Sequence, residues 1–273
     1  MLPNLIERFP ERYRRVGSDV IFDARDGGIP LMEGLIAKHR YYDAGGIWAP
    51  LIDTDKRVTA AIVESLGARS CLELGCYSGP VLSLLNERGI KICGVDVSHQ
   101  AFLLAEESVH AHLRYGDLLS LNFDTPVDVF FGMDILEHLS PVKLGAYIAK
   151  IETLIAPGGF AYINSPMFGH DDVFGAVFQQ YVPAWQEAGD DRFWMEWHCD
   201  EKGWPMHGHL IWASPAWWEA QFRLSGLVRD REVEAIFHRQ LAGFFATTPA
   251  RRSLFVLRRP GATPAYQQIQ ESR

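Results

Sequence analysis

Through the middle of the chain, short runs of apolar residues alternate with segments in which apolar residues recur at helical spacing. Five runs predict strands, at Ser70–Leu74, Ile90–Val95, His112–Tyr115, Val127–Gly132 and Phe160–Asn164. Strands that alternate with helices predict a parallel sheet with right-handed crossovers. In such a sheet ligands bind at the carboxyl ends of the strands, so the residues there are the first candidates for a ligand site.

Turn and capping signals set the expected ends of the helices. Pro80 suits the first turn of a helix that ends near Gly89, and Ser98 suits the N-cap of a helix that runs to about Glu107. A later helix is predicted to end at the Pro157-Gly-Gly turn. The chain then divides into an N-terminal cap of helix and loop, a ligand-binding core, an aromatic-rich lid, C-terminal elements that complete the sheet, and a tail. Their expected bounds are 1–60, 61–166, 167–213, 214–259 and 260–273.

Composition narrows the classes of function. The chain has 273 residues, 48% of them apolar, and a formal net charge of −8. This excludes a disordered chain, and it makes nucleic acid an unexpected partner because no basic excess exists. No apolar run is long enough for a transmembrane helix, and the N-terminus lacks the apolar region of a signal peptide. The four cysteines lack metal-site spacing, so we expect reduced thiols in a cytoplasmic protein. The runs His170-Asp-Asp and His198-Cys-Asp contain metal-ligand types and keep a metal as an alternative, but their spacing matches no known metal site, so we expect no metal.

A glycine turn follows the first predicted strand. Its pattern is Gly75-x-x-x-Gly79, with Tyr77 where the dinucleotide-binding fingerprint has its middle glycine and no third glycine. A pyrophosphate would be crowded there, which disfavours a nicotinamide-dependent oxidoreductase. Glu73 precedes the turn, and a carboxylate in that place favours a cationic ligand.

Two further carboxylates end the next strands. Asp96 ends the second strand, where a carboxylate can accept both hydroxyls of a ribose. Asp117 ends the third, where a carboxylate can accept from an exocyclic amine such as that of adenine. A cation, a ribose and an adenine together describe S-adenosylmethionine (SAM). The structural alternatives are a helix cap at Glu73 and turn carboxylates at Asp96 and Asp117.

Five segments resemble, in order, the motifs of class I SAM-dependent methyltransferases: 70–79, 94–98, 115–118, 128–139 and 154–163. The D-x-L-E-H-L run and the L-x-P-G-G turn resemble the small-molecule branch that includes ubiquinone-biosynthesis and sugar O-methyltransferases. The resemblance implies a doubly wound, mostly parallel, seven-stranded Rossmann-like sheet with an aromatic-rich lid insertion. It also implies SAM as the cofactor and S-adenosylhomocysteine (SAH) as its product.

The resemblance carries cofactor-binding roles onto matching positions. Tyr42 is a further candidate, because the N-terminal cap could close the ligand site from the side opposite the lid. The expected cofactor residues are Glu73, Gly75, Cys76, Tyr77, Gly79, Asp96, Val97, Asp117, Leu118, Met133, Asp134 and Tyr42. The departure from the family is Tyr77, which could press on the methionine moiety of SAM. A second run, Asn164-Ser-Pro-Met, is similar to the signature of nucleobase amino methyltransferases, but it follows the fifth strand instead of the fourth, so we interpret the match as accidental.

The expected reaction is transfer of a methyl group from SAM to a small molecule at a hydroxyl, as in O-methylation of a sugar or secondary metabolite. A hydroxyl must lose a proton, and His138, His207 and His209 are the candidate bases. The alternatives are N- or C-methylation of a small molecule and a SAM- or SAH-binding protein without activity. We expect a monomer or homodimer with no nucleic-acid or membrane partner.

Overall fold

The computed structural model describes residues 8–16, 19–22, 34, 38, 51–167, 169–177, 201, 203 and 208–259. Two of the predicted site residues, Tyr42 and His207, lie outside the described residues. No helix of the described ranges is long and apolar enough to cross a membrane.

The centre of the fold is a seven-stranded sheet. Its strands are β3 (Ser70–Leu74), β4 (Lys91–Asp96), β5 (Leu113–Tyr115), β6 (Val127–Met133), β7 (Ile155–Asn164), β11 (Val228–Arg229) and β12 (Leu254–Arg258). Their order across the sheet is β11-β12-β7-β6-β3-β4-β5. The pairings from β7 to β5 are parallel, and β12 is antiparallel to both β7 and β11. The predicted mostly parallel, seven-stranded, Rossmann-like fold is therefore confirmed.

Helices cover both faces of this sheet. They are α1 (Thr54–Ser65), α2 (Pro80–Glu87), α3 (His99–Leu104), α4 (Glu107–His110), α5 (Leu144–Leu154), α6 (Pro215–Leu224), α7 (Arg231–Gln240) and α8 (Ala242–Thr247). Neighbouring strand residues face opposite ways, so Phe130 packs in the core layer of α5 and α6 whereas Phe131 packs in the layer of α1, α2 and α7. Burial on both faces explains why the strands read as continuous apolar runs.

Two small sheets lie outside the main one. Strands β1 (Tyr13–Val16) and β2 (Asp19–Phe22) form an antiparallel pair that β10 (Ile211–Trp212) extends. Strands β8 (Gly169–Asp171) and β9 (Gly175–Val177) form a hairpin after β7. The interpretation of residues 1–60 as helix and loop missed the first pair, because two four-residue strands carry little periodicity.

Two predicted helix boundaries were wrong. The helix expected to run from Ser98 to Glu107 is divided into α3 and α4, and the Ser98 side chain makes no capping hydrogen bond. The Pro157-Gly-Gly turn does not end a helix, since α5 ends at Leu154 and the turn lies within β7. Close packing explains Gly159, because a Cβ there would lie 2.5 Å from the Asp128 carbonyl oxygen.

Candidate functional site

The glycine turn, residues 73–79, connects β3 to α2 at the carboxyl end of the sheet. Gly75 and Gly79 have φ of 72° and 75°, and Tyr77 has φ of 46°. The Gly75 amide donates to the Val95 carbonyl at 2.8 Å, which fixes the turn against β4. Tyr77 therefore occupies the left-handed backbone conformation that a glycine adopts without strain.

Asp96 anchors this turn from the end of β4. One carboxylate oxygen accepts from the Tyr77 amide at 2.8 Å and the other accepts from the Ser98 amide at 2.7 Å. Burial raises the pKa of Asp96, and amide donors, including that of half-buried Val97, oppose the rise. Each carboxylate oxygen has a second lone pair, so Asp96 can hold the turn and still accept from a ribose.

Glu73 lies buried beneath the turn. Its Oε2 has no hydrogen-bond partner among the residues that the structure describes. Burial, with the nearby Asp96 charge, raises the pKa of Glu73 well above its ordinary value. The alternative of a helix cap fails, since Gly79 is the N-cap of α2 and no side chain caps it. A buried acceptor without a partner fits a cationic group of a ligand.

Three predicted cofactor residues place their side chains elsewhere. The Cys76 thiol packs in the core, where a Cβ on Gly94 would lie 2.7 Å from its Sγ. Leu118 also packs in the core, with 1% of its surface exposed. Asp134 forms an ion pair with Arg251, Oδ2 to Nη1 2.6 Å, instead of presenting a free carboxylate. Half-buried Met133 ends β6 beside it.

Asp117 follows β5 and is half-buried. Its Oδ1 accepts from the Leu119 amide at 3.0 Å, and the Tyr147 hydroxyl also donates to the carboxylate. Burial, then the charge and hydrogen bond of Asp117, raise the pKa of Tyr147. Tyr115, half exposed, forms edge-to-face contacts with His99 and Phe102 next to this turn. Sequence reasoning missed Tyr147 and this aromatic group.

A histidine cluster, Glu137, His138 and His209, lies after β6. The rings of His138 and His209 pack edge to face with centroids 4.7 Å apart. The Glu137 carbonyl accepts from the Leu210 amide at 2.7 Å, which brings His209 beside His138 although 71 residues separate them in the chain. Two of the three candidate bases, His138 and His209, therefore lie together.

Glu137 is the cluster's buried carboxyl. Its Oε2 accepts from the Ser165 hydroxyl at 3.0 Å, and its Oε1 lies 4.0 Å from His138 Nε2. Burial and then the Asp134 charge raise the pKa of Glu137 well above its ordinary value. One ligand-type atom from each residue of the cluster lies within 4.8 Å of the others. The arrangement can share a proton or hold a cation; the expectation of no metal stays a prediction.

The Asn164-Ser-Pro-Met run contributes hydrogen bonds to this region. Ser165 holds Glu137, and Asn164 accepts from Arg251 and donates to the Ser253 carbonyl at 2.7 Å. The run therefore has structural roles, and the interpretation that it matches the nucleobase methyltransferase signature by accident stays a prediction. Its place at the end of a predicted strand was the signal that could have found them.

The comparisons with known proteins agree with this geometry. A methyltransferase-domain family matches residues 71–159. The ubiquinone biosynthesis O-methyltransferases of Burkholderia multivorans and Burkholderia cenocepacia are each 25% identical over 138 residues, covering 46% of this chain. Residues 71–159 therefore carry a methyltransferase domain, and the predicted resemblance to class I SAM-dependent methyltransferases is confirmed. The match spans 58% of the length of those relatives.

A solved structure shows that the fold of this methyltransferase domain extends over most of the chain. The [4+2]-cyclase SpnF superposes with a TM-score of 0.52 at 18% identity, covering 84% of this chain and 94% of SpnF. At this identity the likeness concerns the fold alone. The same fold therefore occurs in a protein described as a cyclase, so the activity has to be argued from the site.

Proposed function

We propose that this protein transfers a methyl group from SAM to a small-molecule acceptor, at a hydroxyl oxygen. The single observation that carries the proposal is the pair Glu73 and Asp96 at the glycine turn. One is a buried carboxyl without a hydrogen-bond partner among the described residues, and the other is a carboxylate fixed by two backbone amides. Together they suit a ligand that has both a cationic end and a ribose.

The residues of the glycine turn would bind and orient the cofactor. Glu73 would face the cationic methionine end, and the left-handed backbone at Gly75 and Gly79 gives the turn its shape. Asp96 accepts from the ribose hydroxyls, and the turn at Asp117 borders the adenine. Bound SAM supplies an activated methyl group on a sulfonium.

The histidine cluster would serve the acceptor. A hydroxyl becomes a competent nucleophile as it loses its proton, and a neutral imidazole is suited to accept that proton near pH 7. His138 ends a short helical turn five residues after β6, the strand that pairs with β3, and His209 packs against its ring. We assign the proton acceptor to one of these two imidazoles; His207 stays a candidate from the sequence.

The net charge of the chain and its curated relatives both favour a small-molecule acceptor. A net charge of −8 suits a small molecule better than a polyanionic nucleic acid. The curated relatives are O-methyltransferases of ubiquinone biosynthesis, which favours a hydroxyl, and a phenol or a sugar is the acceptor we propose. Transfer to nitrogen or carbon is the second candidate within the same chemistry.

Ligand binding tests the cofactor first. A ligand at 100 times its Kd adds about 2.7 kcal/mol to the free energy of unfolding, so SAM and SAH should each raise the Tm by several degrees. NADH serves as the control and should leave the Tm unchanged. Stabilisation by NADH with none by SAM or SAH would overturn the proposal.

Turnover tests the reaction second. SAH formation is followed with panels of phenols, sugars and amines, and Asp96→Ala provides the control for cofactor-dependent signal. Faster SAH formation with hydroxyl acceptors supports O-methylation. Binding of SAM without turnover on any acceptor would favour the alternative of a SAM- or SAH-binding protein.

A further inference from the structure

A buried guanidinium lies beside the candidate site, at the carboxyl ends of β6 and β7. Arg251 is 4% exposed, and its Nε lies 2.9 Å from both carboxylate oxygens of Asp55. Its Nη1 donates to Asp134 Oδ2 and to Asn164 Oδ1, each at 2.6 Å. One side chain therefore joins the first turn of α1 to the ends of two central strands.

The residue that Arg251 holds has an unusual backbone. Asp134 has φ of 51°, a left-handed conformation that costs energy for a residue with a Cβ. Its amide donates to the Asn164 carbonyl at 2.8 Å, and its carboxylate is fixed by Arg251. The surrounding structure thus constrains this residue through both its backbone and its side chain.

The turn at Asp134 determines where the next side chain lies. Ile135 packs against the glycine turn, since a Cβ on Gly75 would lie 2.8 Å from its side chain. A Cβ on Gly132 would meet the same side chain at 2.7 Å. A different backbone at Asp134 would move Ile135, and Gly75 would lose the surface against which it packs.

A second buried arginine provides a matched comparison. Arg229 is 7% exposed and forms ion pairs with Asp171, Glu219 and Glu234. It lies on edge strand β11, and in the order of the sheet β12, β7 and β6 separate it from β3. Arg229 is therefore a buried, ion-paired guanidinium like Arg251, but its ion-pair partners do not belong to the glycine turn.

We propose that Arg251 is a positioning residue for the cofactor site: by holding Asp134 in its left-handed conformation, it keeps Ile135 against Gly75 and the glycine turn in its binding shape. This inference rests on the proposed function, because it assumes that the glycine turn binds SAM. It assigns a role in binding to a residue near the C-terminal end of the described chain, far in sequence from the turn.

The first test compares Arg251→Met with Arg229→Met. The Kd of SAM and the Kd of SAH are measured by calorimetric titration, and the folded fraction is checked by circular dichroism. Loss of a hydrogen bond to a charged group should weaken both ligands by about tenfold in Arg251→Met. Arg229→Met should lower the Tm and leave both Kd values unchanged.

The second test separates backbone positioning from general damage. Glycine adopts a positive φ without strain, so Asp134→Gly should not need the guanidinium to keep the turn. In the Asp134→Gly background, adding Arg251→Met should therefore change the Kd of SAM by less than about twofold. This rescue is a readout that a merely structural role of Arg251 would not give.

Each outcome decides the inference. Equal weakening of SAM and SAH, removed by Asp134→Gly, supports it. Unchanged Kd values in folded Arg251→Met overturn it, as does tighter binding of SAM alone, which would mean that charge and not shape matters. If Arg251→Met does not fold, Arg251→Lys is used instead, because it keeps the charge but lacks the planar guanidinium. It should give a smaller loss of SAM and SAH affinity, with the same rescue by Asp134→Gly. A wild-type protein that binds neither ligand overturns the proposed function and this inference together.

Discussion

The glycine turn and the histidine cluster differ in how the chain assembles them. The turn comes from the ends of two adjacent parallel strands, with Glu73 and Asp96 23 residues apart. The cluster joins residues that follow β6 to His209, which lies just before β10. The Leu210 amide donates a hydrogen bond to the Glu137 carbonyl at 2.7 Å. Local backbone geometry builds the first, and one long-range hydrogen bond helps to build the second.

This difference predicts that substitutions in the two regions change different measured quantities. In the turn, backbone amides hold Asp96, so substitutions there should change ligand affinity. In the cluster, side chains face one another, so substitutions there should change turnover and leave cofactor affinity intact. The following variants test this division, from the largest expected effect to the smallest.

The largest effect is expected for His138→Ala. Loss of a general base should lower turnover about 10²–10⁴-fold without changing the Kd of SAM. His209→Ala is measured in parallel, and His112→Ala, an exposed histidine, is the matched control. With a phenolic acceptor part of the loss should recover at high pH, because hydroxide can remove the proton. Near-full turnover in both cluster variants would contradict a histidine base.

The second-largest effect is expected for Asp96→Ala, on the affinity for SAM. Two hydrogen bonds to a charged acceptor, at roughly 1.5–3 kcal/mol each, imply that SAM binds at least about tenfold more weakly. Equilibrium dialysis with labelled SAM measures this, and Asp128→Ala, a carboxylate that accepts from the Arg69 and Ser70 amides, is the control. Unchanged affinity in a folded variant would leave Asp96 a turn residue only.

Glu73 should make SAM binding depend on pH. Its pKa is raised in the ligand-free protein by burial, so the carboxyl holds a proton above its ordinary pKa of about 4.5. A cation bound beside it favours the ionised form, so binding releases a proton and the affinity rises with pH. The rise is at most about tenfold per pH unit while one proton is released.

The same titrations with Glu73→Gln provide the control. The variant cannot release that proton, so the pH dependence that Glu73 supplies should disappear. A slope that persists unchanged in Glu73→Gln would assign the proton to another group.

Tyr77→Gly should have the smallest effect on affinity. The Tyr77 backbone already has φ of 46°, and its amide already donates to Asp96, as a glycine amide would. We therefore expect the Kd of SAM to change by less than about fivefold, which is under about 1 kcal/mol. A much larger gain in affinity would show that the tyrosine ring obstructs the cofactor.

Sequence reasoning succeeded where strand ends alone determine position. The order of motifs placed Glu73, the turn and Asp96 together because parallel strands end at one edge of the sheet. It did not predict that the Leu118 side chain and the Cys76 thiol pack in the core, since the order of motifs does not say which side chains turn inward; their cofactor roles stay predictions. The burial of both follows from close packing against neighbouring elements.

Long-range partners were beyond the sequence for a physical reason. Arg251 pairs with Asp55, 196 residues away, and Ser165 with Glu137, 28 residues away. No periodicity or motif spacing encodes such pairings, because they depend on how the sheet brings separate ends together. His209 was identified as a residue type, but its contact with His138 required the fold.

The most direct test of the account is the structure of the SAM complex, and in particular the direction in which the methyl group points. We predict that the methionine end lies at Glu73, the ribose at Asp96, and the methyl group on the side of His138 and His209. SAM bound away from the glycine turn, or with its methyl group directed toward Asp117, would contradict the account.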